Sequence, residues 1–427
     1  MDSGAPLTPA AALLAALPAT VDAAVVRDGP RTVVAAAPDA VVVASGADAL
    51  DRVDRLPPGW WAGFLAYELG AAVERVAPGR STAGGSGENG VPDLVLARFP
   101  ARIVLDPASG RSELHGHGPG RDLLARAAAS PPSRPDVPVP AARSRWRTSL
   151  DRAAFEQGVA TIREHIGAGD CYQVNLTRRL TSARAVDPVA LFAALEHANP
   201  SPHGAFLRVG ATPGAPDIAV VSASPERFLS WRGPDVETCP IKGTGTDPAA
   251  LRASVKDRAE NVMIVDLARN DLGRVCEPGS VVVPALCAVE AHPGLHHLVS
   301  TVRGRRRAGT GAGTLVRATF PPASVTGAPK PRVMQIIEDL EPVPRGVYCG
   351  AVGWIDTEQD AGDLNVAIRT FTIPRGCAQL GVGAGIVADS QPASEWAETE
   401  LKAARLLDAA GAAHAAARET ALAGAHR

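Results

Sequence analysis

Lysine is scarce in this sequence, and the few lysines present are candidates for chemistry. Only four lysines stand among 43 basic residues, the others being arginine. Arginine replaces lysine wherever a surface cation is enough, but only an ammonium group loses its proton readily. Lysines that remain are therefore candidates for sites that need a compact cation or a free amine. They are Lys242, Lys256, Lys330 and Lys402.

Lys242 lies in PIKGT (240–244), between a predicted strand that ends near Glu237 and a turn rich in Gly and Asp. A lysine in such a turn can clamp a phosphate or a carboxylate, and when it is desolvated it can act as a nucleophile. The sequence contains no GxxxxGK[ST] pattern, so a nucleotide-binding loop is not expected. The residues alone leave the clamp and the nucleophile open.

Two predicted helices each carry a pair of carboxylates three residues apart, on one helical face. The pairs are Asp257 with Glu260, and Glu395 with Glu398 on the last helix. If the pairs converge, they supply the oxygen ligands that Mg²⁺ prefers. Lys402, on the face of the second pair, would then hold an anionic group beside the ion. Solvated acidic faces are also common on helices, so the spacing leaves both interpretations open.

Glu226, in SASPERF, follows a proline at a predicted strand edge. A carboxyl group in that position can act as a general acid if burial raises its pKa. A surface ion pair with Arg227 is an equally good explanation. His297, in HHLVSTV, lies beside a strand, where a lone histidine more often has a structural role.

Glycine and nucleophile patterns exclude several enzyme classes. GVGAG (381–385) leads into IVADS rather than a helix, which argues against a dinucleotide-binding fingerprint. Its backbone N–H groups could instead receive a carboxylate. The sequence has no GxSxG or GxCxG nucleophile elbow, so a hydrolase or amidotransferase triad is not expected in this chain.

These residues must be positioned by a mixture of strands and helices. Short Val/Leu/Ile runs in residues 1–116 predict strands with one or two helices, and the Pro- and Gly-rich segment 117–145 predicts a linker around one short helix. Strand runs and long helices interleave over 146–410, and 411–427 is an Ala-rich tail. The pattern predicts an α/β or α+β protein. The helix over about 255–269 is expected to bury a stripe of Ala259, Val262, Met263 and Leu267.

Composition limits the partners and the compartment. A formal net charge of −2 over 427 residues predicts no nucleic-acid partner and no anionic membrane partner. No apolar run approaches the ~20 residues of a membrane span, and the acidic, Ala-rich N-terminus predicts a helix rather than a signal peptide. Six scattered cysteines without a CxxC pair favour reduced thiols and a cytoplasmic protein.

Eight motifs, in this order, resemble those of the chorismate-utilising enzymes over about residues 146–408. They are SASPERF, PIKGT, KDRAENVMIVDLARNDLGRVCEPGSV, HHLVSTVRG, FPPASVTGAPKPRVMQIIEDLE, RGVYCGAVGW, NVAIRTF and GVGAGIVADSQPASEWAETELKA. A weaker trace, WWAGFLAYELG (60–70), precedes them. The resemblance implies an α+β fold of two packed antiparallel sheets flanked by helices. It also implies an N-terminal region over 1–145 and a catalytic domain over 146–410.

Within this family the sequence resembles aminodeoxychorismate synthase component I most closely. The lysine of PIKGT marks that branch, because anthranilate synthases resemble PIAGT there. Gln173, in CYQVNLT, stands where isochorismate and salicylate synthases have a lysine that activates water, which implies ammonia as the nucleophile. Gly245 and Cys239 replace arginines of the family pattern on either side of PIKGT.

The resemblance also implies a role for each candidate residue. It implies that Lys242 is a nucleophile forming a covalent intermediate, that Glu226 is a general acid and that His297 belongs to the catalytic set. The implied substrate-binding residues are Gln173, Thr244, Thr326, Tyr348, Arg369, Gly383, Gly385 and Lys402. The implied Mg²⁺ ligands are Glu260 and Glu398, with Asp257 and Glu395 in support.

The expected reaction joins chorismate and ammonia to give 4-amino-4-deoxychorismate, for folate or another p-aminobenzoate-derived product. Ammonia would come from a glutamine amidotransferase subunit or from solution. Anthranilate synthase component I is the near alternative. A non-catalytic subunit that regulates an amidotransferase is the alternative from another class.

Overall fold

The computed structural model describes residues 9–74, 76, 91–130, 146–292 and 295–424 of the chain. The described residues form two large antiparallel β-sheets with helices outside them. The expected α+β class, with two packed antiparallel sheets flanked by helices, is thereby confirmed.

Sheet A has eleven strands, and each neighbouring pair is antiparallel. Its strands are β1 (Ala23–Asp28), β2 (Arg31–Ala36), β6 (Ala101–Asp106), β7 (Arg111–Gly116), β8 (Trp146–Thr148), β9 (Gln173–Ala185), β10 (His203–Val209), β11 (Ile218–Ser224), β17 (Gly327–Ala328), β20 (Thr370–Pro374) and β21 (Cys377–Ile386). Their order is β17-β9-β21-β20-β11-β10-β1-β2-β6-β7, and β8 pairs with β9.

Sheet B has ten strands and is also antiparallel. Its strands are β3 (Ala40–Ala44), β4 (Trp60–Leu65), β5 (Leu94–Arg98), β12 (Arg227–Arg232), β13 (Asp235–Cys239), β14 (Ile241–Gly245), β15 (Val282–His292), β16 (Leu295–Arg305), β18 (Ala351–Asp356) and β19 (Ala361–Val366). Their order is β14-β16-β13-β12-β19-β18-β4-β5-β3, and β15 pairs with β16.

The helices cover the outer faces of the sheets. They are α1 (Pro9–Ala16), α2 (Ala49–Val53), α3 (Leu69–Glu74), α4 (Pro119–Ala129), α5 (Arg152–Gly167), α6 (Pro188–Ala198), α7 (Pro248–Ala253), α8 (Val255–Gly273), α9 (Ala312–Thr319), α10 (Lys330–Leu340) and α11 (Pro392–Gly424), with a one-turn 3-10 helix at Ala323–Val325. In the described part of the chain, none of them is long and apolar enough to cross a membrane.

The period-two alternation of the strands builds the core between the sheets. Ala24 and Val26 of β1 share a buried cluster with Phe64 and Val352 of sheet B, whereas Val25 joins the cluster beneath the helices. Successive side chains of a strand point to opposite faces, so a strand buried on both faces needs an apolar residue at every position. The continuous apolar runs in the sequence reflect this double burial.

The N-terminal region contributes strands to both sheets, with β1, β2, β6 and β7 in sheet A and β3, β4 and β5 in sheet B. The short helix expected within 117–145 is α4, which buries Leu124 and Ala127 against the strands of sheet A. Residues 131–145 lie outside the described residues.

Helix α8 buries a different face from the one that its apolar residues predict. Its buried side chains include Asn261, Ile264 and Val265, whereas Ala259 and Val262 are exposed. Asn261 donates to the carbonyl of Leu298 at 3.0 Å, and this hydrogen bond replaces an apolar contact at the centre of the buried face. The expected stripe was therefore wrong, because a buried polar anchor sets the rotation of this helix.

Glu68, just after β4, joins two distant parts of the chain. Its carboxylate accepts N–H groups from Arg345 and Gly346 at 2.7 and 3.0 Å. Burial raises the pKa of Glu68 to about 7, against the effect of these hydrogen bonds. The folded protein therefore binds this proton more tightly than the unfolded chain does.

We predict that Glu68→Gln removes a pH-dependent part of the stability. The contribution of Glu68 is fully present below its ordinary pKa and is lost as the pH rises through about 7. Between pH 4 and pH 8, the free energy of unfolding of the natural chain should fall by roughly 2–3 kcal/mol relative to that of the variant. Urea unfolding measures this, with Glu358→Gln at an exposed position as the control. A constant difference for Glu68→Gln would contradict the prediction.

Candidate active site

Glu226 lies where the chain crosses from sheet A to sheet B. It is two residues after the end of β11 and one before β12, and it is 4% exposed. Its N–H donates to Ser224 Oγ at 3.2 Å, and its carbonyl accepts the N–H of Val366 at 3.0 Å. The backbone on both sides of the crossing therefore fixes the position of this carboxyl group.

The surroundings of Glu226 favour its protonated form. Burial raises its pKa to about 7, while hydrogen bonds from Ser324 and the Ile241 N–H and the charge of Lys242 act in the opposite direction. Arg227 is not its partner, because Arg227 lies 2.9 Å from Glu237 and 3.0 Å from Asp363. Glu226 can therefore carry an acidic proton near neutral pH.

An irregular turn of the backbone presents Lys242 to the site. The pairing of β14 with β16 shifts register between Ile241 and Thr244. Gly243, within this irregularity, has a φ of +86°, and a Cβ added there would lie 2.9 Å from Cβ of Asp257. Glycine at 243 therefore permits both the left-handed backbone and the close approach of α8.

Opposing effects set the protonation of Lys242. Burial lowers its pKa, and the charge of Lys402 acts in the same direction. The carboxylates of Glu260, Glu226 and Glu398 raise it, Glu260 most strongly. Because burial outweighs them, this amine loses its proton more easily than an exposed lysine does.

Gln173, the first residue of β9, lies beside Lys242. It is fully buried, and neither its Nε2 nor its Oε1 has a hydrogen-bond partner among the described residues. A Cβ added at Gly385 would lie 2.7 Å from Gln173 Nε2 and 3.5 Å from Lys242 Nζ. An unpartnered buried amide indicates a place for a polar ligand, since burial without a hydrogen bond is costly.

The two acidic helices face each other across this site. Lys256 Nζ of α8 lies 3.9 Å from Glu260 Oε1. Burial is the main cause that raises the pKa of Glu395 on α11, and the charge of Lys256 lowers it. Burial likewise raises the pKa of Glu260, with a further contribution from Glu398. Lys402 Nζ lies 2.6 Å from Glu398 Oε1. The structure therefore brings both carboxylate pairs and three of the four lysines together.

The donor chemistry of these helices suits a hard cation. Asp257, Glu260, Glu395 and Glu398 offer carboxylate oxygens, and their mutual repulsion is what a cation would relieve. Over the described ranges, however, no three His, Cys, Asp or Glu side chains are close enough together to hold a metal ion. The carboxylates would have to leave their lysine partners to do so.

The glycine segment (381–385) of β21 forms an adjacent wall. Strand β20 pairs with β21 only as far as Leu380, so beyond it the segment has β9 alone as a strand neighbour. A Cβ at Gly381 would lie 2.1 Å from the ring of Tyr348, and Lys402 Nζ donates to the carbonyl of Gly383 at 2.9 Å. Glycine thus allows Tyr348 to pack directly on the strand.

Arg369 precedes β20 with a φ of +51°. Burial lowers its pKa, and the neighbouring cation Arg405 adds to this effect. No carboxylate among the described residues forms an ion pair with it. A partly buried guanidinium beside a second cation is suited to bind a carboxylate of a ligand.

His297 and Thr326, two residues predicted for the site, are both buried and hydrogen-bonded within the protein. His297 is 2% exposed, and its Nδ1 lies 2.8 Å from Thr244 Oγ1, so these two residues form one cross-strand contact of β16 and β14. Thr326 is fully buried and donates to the carbonyl of Pro322 at 2.9 Å. Ser324, two residues earlier, is the residue of this segment that contacts Glu226.

Sequence reasoning missed Ser324 and gave Lys256 no role. Ser324 lies within the quoted motif FPPASVTGAPK, but the motif does not indicate which hydroxyl faces the acid. Lys330, the fourth lysine, lies elsewhere: its Nζ forms a buried ion pair with Asp271 Oδ2 at 2.7 Å. Of the four scarce lysines, three therefore lie at the site, and Lys330 lies in a buried ion pair elsewhere.

The two departures from the family pattern occupy different surroundings. Burial raises the pKa of the Cys239 thiol to about 12, so the thiol stays neutral beside Glu237, whose Oε2 lies 2.6 Å from Arg303 Nε. Gly245 pairs with His296 at the end of β14. Neither Cys239 nor Gly245 carries a positive charge, but Arg227 and Arg303 lie close to Cys239.

Glu226 is a buried acid with a raised pKa and lies beside Lys242, a desolvated amine with a lowered pKa, and such opposed shifts are typical of enzyme sites. The chain belongs to the chorismate binding enzyme family, whose pattern matches residues 16–408. It is 39% identical over 355 residues to aminodeoxychorismate synthase component 1 of Klebsiella aerogenes, covering 81% of this chain and 76% of that protein. It is also 40% identical over 334 residues to anthranilate synthase component 1 of Streptomyces coelicolor, covering 76% and 64%.

The fold is also that of a solved relative. The crystal structure of anthranilate synthase component I from Streptococcus pneumoniae superposes with a TM-score of 0.76 at 26% identity, covering 89% of this chain and 93% of that one. The chain is therefore a chorismate-utilising enzyme by family.

We predict that Glu260→Gln makes Lys242 more reactive toward acylating reagents. Glu260 supplies the largest of the charges that raise the pKa of Lys242, so the neutral amide should let that pKa fall further. Acetic anhydride labelling at pH 8, followed by mass spectrometry, should show several-fold faster modification of Lys242. Lys330 is the internal reference and Asp266→Asn, on the exposed side of α8, the control. Unchanged labelling in Glu260→Gln would contradict the prediction.

Proposed function

We propose that this protein converts chorismate and ammonia to 4-amino-4-deoxychorismate through a covalent intermediate on Lys242. The observation that carries the proposal is the Lys242 amine, desolvated beside Glu226, Glu260 and the free amide of Gln173. A lysine that only clamps an anion would gain from a raised pKa, whereas a nucleophile needs a lowered one. The relatives named aminodeoxychorismate synthase component 1 support the same reaction.

The first half of the reaction uses the acid and the amine together. Glu226 gives its proton to the C4 hydroxyl of chorismate, which departs as water. The neutral Lys242 nitrogen bonds to C2 as both conjugated ring double bonds shift, C1=C2 becoming C1=C6 and C5=C6 becoming C4=C5. The products are a lysine–substrate adduct with a cationic nitrogen and the Glu226 carboxylate, so charge and protons balance.

The second half restores both residues. Ammonia bonds to C4, both ring double bonds shift back and the C2–nitrogen bond breaks, which releases Lys242 as a neutral amine. The new ammonium group on C4 returns one proton to the Glu226 carboxylate. Two displacements through an adduct replace one difficult displacement of hydroxide.

Substrate recognition is proposed to follow the distribution of charge. Chorismate is a dianion, and Arg369 and Lys402 would bind its carboxylates, together with N–H groups of the glycine segment and the hydroxyls of Tyr348 and Thr244. Glu260 and Glu398 would hold Mg²⁺, with Asp257 and Glu395 in support. The ion would withdraw charge from the ring as the hydroxyl leaves.

Ammonia is proposed to reach the site from a glutamine amidotransferase subunit. The designation "component 1" of several relatives supports a second component, and the sequence has no nucleophile elbow for its own glutaminase. Gln173 would face the incoming ammonia, because its amide lies beside the reacting lysine. The cytoplasm as the compartment stays a prediction.

Anthranilate synthase component I is the second candidate. A relative of that name is 40% identical, and a structure of that name shares the fold. Such an enzyme would eliminate pyruvate and release an aromatic amine. Lys242 is the residue that argues against it, because the resemblance gives alanine at this position in anthranilate synthases.

The product distinguishes the candidates. Purified protein given chorismate, Mg²⁺ and an ammonium salt should form 4-amino-4-deoxychorismate, detected by chromatography and mass spectrometry, without anthranilate fluorescence. Lys242→Ala should lose activity by roughly 10²–10⁴-fold, the usual range for an essential catalytic group. Arg258→Ala, exposed on α8, is the control. Anthranilate as the product would reject the assignment, and full activity of Lys242→Ala would reject the adduct.

The pH dependence tests Glu226. Its pKa of about 7 means that the protonated acid declines as the pH rises through that value, so kcat/KM should fall above about pH 7. Glu226→Gln should lose activity by about 10²–10⁴-fold and lack this limb. A kcat/KM that stays constant from pH 6 to pH 9 in the natural chain would show that Glu226 is not the general acid. Glu358→Gln should keep the natural profile.

A further inference from the structure

A buried ion pair beneath the site is not used by the proposed chemistry. Arg345 and Glu341 lie four residues apart in the irregular segment after α10, and their side chains are 2% and 5% exposed. Arg345 Nε and Nη2 donate to the two carboxylate oxygens at 2.9 and 2.6 Å. Its guanidinium also lies 4.4 Å from the centre of the Tyr67 ring. The pair is therefore bidentate, buried and rigid.

The remaining donors of Arg345 bind two backbone carbonyls from distant parts of the chain. Nη1 donates to the carbonyl of Val325 at 2.9 Å, and Nη2 donates to that of Asn175 at 2.6 Å. Val325 follows Ser324, the residue that contacts Glu226, and Asn175 lies two residues beyond Gln173 on β9. The Arg345 guanidinium thus connects the segment that carries Ser324 with the segment that carries Gln173.

Further hydrogen bonds close the same network. The Asn175 amide donates to the carbonyl of Val325 at 3.0 Å, and the Thr177 N–H donates to Glu341 Oε1 at 2.9 Å. Asn175 and Thr177 pair with Gly385 and Gly383 of the glycine segment. The ion pair therefore also fixes β9 directly opposite that segment.

Burial of two charges is a poor way to gain stability, because desolvation offsets much of their attraction. An apolar pair of similar volume would fill the space between α10 and β9, but it could not bind two carbonyls at fixed distances. The geometry thus points to a requirement for position rather than for stability.

We propose, on the basis of the function proposed above, that Arg345 is a positioning residue of the active site. Its guanidinium holds Ser324 against Glu226 and Gln173 beside Lys242 by fixing the backbone of the residues next to them. It does not touch substrate. Loss of Arg345 lets the Ser324 segment move away, and Glu226 then loses a hydrogen bond that favours its ionised form.

The test removes the ion pair without leaving a buried charge. The double variant Arg345→Met/Glu341→Met replaces both groups by apolar side chains, which buried pairs often tolerate. Arg345→Lys keeps the charge but loses the fork of donors. The control is Arg27→Met/Glu196→Met, a pair in which Arg27 Nη2 donates to both carboxylate oxygens of Glu196, at 2.7 and 2.8 Å. Circular dichroism and thermal melting monitor folding.

We expect the double variant to fold, to lose at least tenfold in kcat and to move the alkaline limb of kcat/KM to higher pH. Ser324→Ala should move the limb in the same direction, and Arg345→Lys should recover part of kcat. The charged groups nearest Glu226 are unchanged, since Lys242 faces it from β14 and Arg227 remains paired with Asp363. The control should keep the natural limb and kcat.

A folded double variant with the natural limb, whatever its kcat, would overturn the proposal, because a purely structural role scales activity at every pH alike. If the double variant does not fold, the alkaline limb of kcat/KM in Arg345→Lys decides instead.

Acetylation of Lys242 can be measured without turnover, so it tests the positioning role of Arg345 separately from the proposed function. Failure of the natural chain to act on chorismate rejects the proposed function alone. If the midpoint pH of Lys242 labelling is higher in the double variant, because water enters the site, the positioning role is still supported. An unchanged midpoint rejects that role.

Discussion

The site depends on the competition between desolvation and charge at Lys242. Burial favours the neutral amine, while Glu260, Glu226 and Glu398 favour the ammonium ion, and burial prevails. Both effects vary steeply with distance and with water access. The pKa of the Lys242 amine therefore depends on the distance between β14 and the acidic helices. Most other features of the site keep this distance constant.

Several local features act on this one distance. The register shift in β14 and the left-handed Gly243 bring α8 against the lysine strand. The rotation of α8 follows from its buried Asn261, which directs Glu260 toward the site rather than to solvent. The crossing between the sheets adds Glu226 from the opposite side. Each feature looks ordinary alone, and their combination places an acid with a raised pKa beside an amine with a lowered pKa.

Opposite pKa shifts in neighbouring groups assign the chemistry better than any single residue does. The pKa of Glu226 is raised and that of Lys242 is lowered, and opposed shifts of this kind are concentrated at functional sites. Lys402 adds a positive charge close to Lys242.

The sequence by itself determined the mixture of strands and helices, most strand positions and the set of charged residues that meet at the site, and the resemblance of its motifs to the family implied the two packed sheets. Local periodicity, motif order and the scarcity of lysine were enough, because they depend on neighbouring residues. Only the tertiary structure decided which face α8 buries, that Ser324 rather than Thr326 contacts Glu226, and that Arg345 joins two segments 150 residues apart. Those outcomes depend on desolvation and on hydrogen bonds between distant segments, neither of which leaves a periodic pattern in the chain.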